Sequence, residues 1–118
     1  METFNSIKVW KHFRASLNTQ CTIGLIPTMG AIHKGHLSLI EKSITQNDYT
    51  VVSIFVNPEQ FAPDEDFDSY PRALTKDQSV LETLGVDVLF LPDDKMIYPD
   101  NFSTYVEESS LSKGLEAP

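Results

Sequence analysis

The stretch Thr22-Ile23-Gly24-Leu25-Ile26-Pro27-Thr28-Met29-Gly30-Ala31-Ile32-His33-Lys34-Gly35-His36-Leu37 decides the fold. Its first five residues form an apolar run that reads as a buried strand. Beyond the run, Leu37, Leu39, Ile40 and Ile44 recur at helical spacing, so a helix begins near Gly35 and continues to about Gln46. A strand, a tight glycine-containing turn and a helix N-terminus together make an anion site. First-turn N–H groups lack intrahelical partners, and the macrodipole adds partial positive charge there. His33 and His36 place two imidazoles beside any phosphate held at that spot. Their work would be to donate hydrogen bonds as negative charge moves toward a leaving group.

Outward from this turn the chain alternates. Asn5 to Leu17 carries Ile7, Trp10, Phe13 and Leu17 as a helical stripe that Asn5 or Ser6 caps. Tyr49 to Val56 is too continuously apolar to have a wet face, which suits a central parallel strand ended by Asn57-Pro58. A helix from about Leu74 to Leu84 stops at Gly85, and Val86 to Leu91 reads as a third strand. Thr104-Tyr105-Val106 is one more short strand candidate. The alternation implies right-handed crossovers and an α/β, doubly wound parallel sheet of Rossmann type, with ligands beyond the carboxyl ends of its strands.

With 118 residues the chain has room for one domain. A hydrophobic content of 41% excludes wholesale disorder, and a formal charge of -8 argues against a nucleic-acid platform. The acidic clusters Asp64-Glu65-Asp66-Phe67-Asp68 and Pro92-Asp93-Asp94 read as solvated loops, since neither fits a calcium loop. Cys21 is the sole cysteine, so no disulfide or thiolate zinc site forms within one chain, and it reads as a small buried residue. No signal peptide or membrane span is apparent, which points to a cytoplasmic protein.

Other residues could carry chemistry. Met29 at a turn could pack on a nucleotide base or offer its backbone to a substrate. Lys34 is equally a solvated residue or a charge near the phosphates. Gln60, just past the second strand, could fix a hydroxyl or carboxylate, and Asn57 reads first as a turn residue. Tyr70-Pro71-Arg72 offers a ring and a guanidinium, with a structural salt bridge at least as good a reading for Arg72 as substrate contact.

Three ordered segments, Ile26 to Leu37, Val52 to Phe61 and Tyr70-Pro71-Arg72, resemble the pantothenate synthetase (pantoate–beta-alanine ligase) family. Gly85-Val86-Asp87 and Ile97-Tyr98-Pro99-Asp100 fall where that family has them. The resemblance implies the His-x-Gly-His nucleotidylyltransferase superfamily and an ATP-dependent ligase. In it, pantoate's carboxylate attacks the α-phosphorus of ATP with Mg2+ assisting, and β-alanine then displaces AMP. By position, Met29, Gly30, Ala31, Ile32, His33, Lys34, Gly35 and His36 would hold ATP, with His36 and His33 catalytic. Gln60 would bind pantoate near the β-alanine position, with Pro27, Thr28, Asn57 and Tyr70 as neighbours of that pocket. Lys34 and Ile32 depart from common family residues. Family members run on past Pro118, so the resemblance reads Leu115-Glu116-Ala117 as the interior of a longer segment. It therefore reads residues 1–118 as an amino-terminal ATP/pantoate domain, weak or inactive alone and dimeric in the whole enzyme. A nucleotidylyltransferase acting on a phosphorylated acceptor and a non-catalytic nucleotide-binding module are the alternatives. Gln60 and the single Arg72 near the sheet edge argue against the first, since a phosphorylated acceptor calls for more basic residues there.

Overall fold

The computed structural model describes residues 1–114 of the chain. The order is β1 (Glu2–Phe4), α1 (Ile7–Ser16), β2 (Ile23–Thr28), α2 (Lys34–Gln46), β3 (Tyr49–Ile54), α3 (Leu74–Leu84), β4 (Val88–Phe90) and α4 (Asp94–Ile97), with a 3-10 turn at Pro58–Gln60 after β3. The strands form one sheet in the spatial order β1-β4-β3-β2, every pairing parallel. The steps β2 to β3 and β3 to β4 go one way along the sheet, while β1 to β2 goes the other. Right-handed crossovers therefore put α2 and α3 on one face and α1 on the opposite face. The doubly wound expectation holds.

Side chains confirm the two layers. Cross-strand partners Ile26, Val52 and Leu89 share one face, and they pack with Ile40 of α2 and Leu81 of α3 in the main core. On the other face Trp10 and Phe13 of α1 meet Phe4 and Phe90 at ring distances of 5.2–6.4 Å. Ser6 caps α1 by accepting the N–H of Val9, and Gly85 ends α3 in the left-handed region at φ 91.

Several expectations change. The first run is not a fully buried strand: β2 is a sheet edge, Leu25 is 61% exposed, and the strand continues through Pro27. Proline is tolerated there because an edge strand need not donate every N–H. The sheet has four strands among the described residues, since Glu2–Phe4 pairs with β4. Asp93 is not simply loop: its carboxylate accepts the N–H of Met96 and starts α4. Thr104-Tyr105-Val106 forms no strand, and Val106 is fully exposed. Cys21 is only partly buried. The segment Leu115-Glu116-Ala117 lies outside the described residues.

Candidate active site

β2 and β3 end side by side, at Thr28 and Ile54, and the chain beyond each end forms a cleft of about 560 Å³. That volume lies in the range of small-molecule sites. Met29, His33 and His36 line it from the β2–α2 side, with Pro27 and Thr28 at the strand end. Phe55, Asn57, Gln60 and Tyr70 line it from the β3 side. Eight of the residues singled out in the sequence thus face one space. Gly30 instead lines an adjoining apolar cavity of about 440 Å³, which shares Met29 and Phe55 with the cleft. Ala31, Ile32, Lys34 and Gly35 line neither space. Ile32 packs against the core, and Lys34 is the exposed first residue of α2.

The two histidines cap the helix reciprocally. Nδ1 of His33 accepts the N–H of Gly35 at 3.1 Å, and Nδ1 of His36 accepts the N–H of His33 at 3.2 Å. A neutral ring that accepts at Nδ1 carries its proton on Nε2. Each ring therefore has an Nε2–H to donate, and the rings stack at 3.9 Å. Burial lowers the His36 pKa from its ordinary value, His33 lowers it further, and Asp77 partly offsets both. The shift favours the neutral ring of His36. Gly35 leaves room for the His33 ring, because a Cβ there would stand 2.9 Å from its Cε1.

On the β3 side, Oδ1 of Asn57 accepts the N–H of Glu59 at 3.0 Å and the hydroxyl of Tyr98 at 2.8 Å. Nδ2 of Asn57 donates to Oε1 of Gln60 at 3.0 Å, so the Gln60 NH2 group is left to donate to a ligand. Thr28 plays a structural part, because its hydroxyl donates to the Ser53 carbonyl and accepts the N–H of Gly30. Arg72 makes no salt bridge among the described residues. Its guanidinium donates to the carbonyls of Phe67, Asp68 and Tyr70 and lies over the Phe67 ring, pinning the loop that carries Tyr70.

Tyr98 and Asp77 are among the residues that the sequence reading does not single out. Tyr98 lay inside a motif but touches the site across 41 positions. Asp77 lies on the buried stripe of α3, and a carboxylate among apolar positions was the available signal. Among the described residues no three His, Cys, Asp or Glu groups come together as a metal site, and the cleft lining includes no carboxylate. The chain's residues here do not fit a resident Mg2+.

The family model for pantoate-beta-alanine ligase matches residues 2–118. The chain belongs to the pantoate-beta-alanine ligase family. Pantothenate synthetases of Pseudothermotoga lettingae and Acetivibrio thermocellus are 49% and 50% identical to it over 115 residues, or 98% of this chain. The same alignments cover 41% and 40% of those proteins, so the chain spans about two fifths of the curated relatives' length. The pantoate-beta-alanine ligase of Francisella tularensis, solved in complex with beta-gamma ATP and beta-alanine, superposes with a TM-score of 0.88 at 47% identity. That match covers 92% of this chain and 42% of the Francisella one. Pantothenate synthetase from Thermus thermophilus matches at a TM-score of 0.82 and 41% identity, covering 92% and 38%.

Proposed function

We propose that this chain provides one wall of the site at which pantoate is activated by ATP and joined to β-alanine, giving pantothenate, AMP and pyrophosphate. The observation that carries the reading is the convergence of the two imidazole Nε2–H donors and the Gln60 amide on one cleft at the strand ends. A carboxylate is a poor acylating agent because its leaving group would be oxide. Attack of pantoate's carboxylate oxygen on the α-phosphorus breaks the bond to the bridging oxygen and releases pyrophosphate. The mixed anhydride that results, pantoyl adenylate, has AMP as leaving group. The amine of β-alanine then attacks the acyl carbon, loses a proton and expels AMP.

In this scheme His33 and His36 donate from Nε2 to the phosphate oxygens that gain charge as pyrophosphate leaves. Such fixed donors need no reorganisation during the step. The Gln60 NH2 group holds pantoate by an oxygen, at the end of the sheet where the carboxylate meets the phosphorus. ATP arrives as its Mg2+ complex, with the metal a part of the substrate. The reading carries three further expectations: residues 1–118 form the ATP/pantoate domain, the enzyme is a homodimer, and it works in the cytoplasm. No helix among the described residues is long and apolar enough to cross a membrane.

Hydroxylamine trapping tests the adenylate. With ATP, Mg2+ and pantoate but no β-alanine, the enzyme should release pyrophosphate and yield pantoyl hydroxamate. Pyrophosphate release that requires β-alanine, with no hydroxamate formed, would exclude a free-standing adenylate.

A further inference from the structure

The β2–α2 turn is held from outside by a carboxylate to which the chemistry above gives no role. Asp77, in the first turn of α3, is 3% exposed. Its Oδ2 accepts the N–H of Ala31 at 2.9 Å and its Oδ1 accepts the N–H of Ile32 at 3.0 Å, across 46 and 45 positions of sequence. Both oxygens of a buried carboxylate are thus spent on one turn. That turn is unusual backbone: Gly30 has φ 82 and Ala31 has φ 53, two left-handed residues in succession, the second with a Cβ. A non-glycine residue persists there only where its surroundings over-determine it. The contact is also close, since a Cβ on Gly30 would lie 3.2 Å from Oδ2 of Asp77.

We propose that Asp77 is a positioning residue of the phosphate site. It locks residues 30–32 so that His33 and His36 present their Nε2–H groups as a pair, and it acts on the ligand only through them. The proposal rests on the ATP reading of the cleft. A pure charge argument points the opposite way. A carboxylate near a phosphate site repels the ligand, so its neutralisation would tighten binding. The geometry says that its neutralisation weakens binding, because an asparagine amide cannot accept two N–H bonds with both terminal atoms.

The experiment compares Asp77→Asn and Asp77→Glu with the unaltered full chain. Amide hydrogen exchange is read by NMR, the His36 ring is titrated, and ATP affinity is measured by calorimetry. In the unaltered chain the amides of Ala31 and Ile32 should exchange slowly. Both variants should keep protection at Val52 and Leu89 and lose it at Ala31 and Ile32. ATP should bind about tenfold more weakly to each, the loss expected for one hydrogen bond to a charged group. The His36 pKa should fall further in Asp77→Asn, where the negative neighbour that raises it is gone, and less in Asp77→Glu. Fast exchange at Ala31 and Ile32 in the unaltered chain would overturn the proposal without any variant. So would tighter ATP binding by Asp77→Asn. If ATP binds saturably without moving the ring signals of His33 or His36, the ATP reading fails, while the exchange data still decide whether Asp77 holds the turn.

Discussion

The hydroxyl of Tyr98 donates to Oδ1 of Asn57 at 2.8 Å, tying the chain after α4 to the rim of the cleft. Together with the Glu59 N–H it fixes the Asn57 amide, whose Nδ2 takes up Oε1 of Gln60 and leaves the Gln60 NH2 group unspent. Tyr98→Phe removes the hydroxyl and leaves the ring packed against Phe102 and Phe55. We expect KM for pantoate to rise about fivefold, the worth of roughly 1 kcal/mol for one neutral hydrogen bond, with kcat little changed. Steady-state kinetics of the whole enzyme with saturating ATP reads it. An equal fall in kcat would show that Tyr98 acts on the transition state instead.

Acid should loosen the histidine cap. Protonating His36 places a proton on Nδ1, the atom that accepts the N–H of His33. Its folded pKa lies below the ordinary 6.5, so the unfolded chain takes up the proton first as pH falls. Stability from this group is therefore full above pH 6.5 and is lost as pH drops below it toward the folded value. Urea unfolding across that window should show a steeper loss in the unaltered chain than in His36→Gln. Parallel profiles would remove His36 from the cause.

Gly35→Ala separates the site from the fold. The new methyl must push the His33 ring away, since Cε1 and Nδ1 would lie 2.9 and 3.1 Å from it. Alanine is favoured over glycine by up to about 1 kcal/mol in a helix, and losing the His33 cap on the Gly35 N–H costs about as much, so thermal stability should change little. We expect ATP affinity to fall about tenfold, as one imidazole donor leaves its place. Unchanged affinity would mean that the His33 ring is not needed where it stands.

Arg72→Lys keeps the charge and loses the fork. A lysine ammonium cannot reach the carbonyls of Phe67, Asp68 and Tyr70 together as the guanidinium does. The loop between the 3-10 turn and α3 should be cut faster by protease, with the melting temperature nearly unchanged because the core residues lie elsewhere. Equal cutting rates would show that the loop is held by the Phe61, Phe67 and Tyr70 rings alone.

Much of the fold was legible because periodicity carries it. The stripe of α1, the apolar run of β3 and the glycine stop of α3 each imply an element, and the alternation implies a parallel sheet. β1 escaped because Glu2-Thr3-Phe4 is too short to show a period, and it is a strand only through β4. β2 runs through Pro27 to Thr28, past the point where the apolar run ends, because an edge position tolerates the proline that normally ends a strand. At the site, the residue types at the turn were readable from their chemistry, but their partners were not. The Ala31–Asp77 and Asn57–Tyr98 contacts join positions more than 40 residues apart, and no local pattern encodes such a pairing. The His33–His36 cap is local, yet only coordinates show that both Nδ1 atoms accept.

Whether one cleft takes both ATP and pantoate is read most directly by NMR titration of the chain, following the His33 and His36 rings and the Gln60 side-chain amide. ATP should shift both imidazole ring signals saturably, and pantoate should shift the Gln60 amide, each ligand changing the apparent affinity of the other. Saturable ATP binding that leaves both imidazole rings unmoved would contradict the assignment of the phosphate site to this turn.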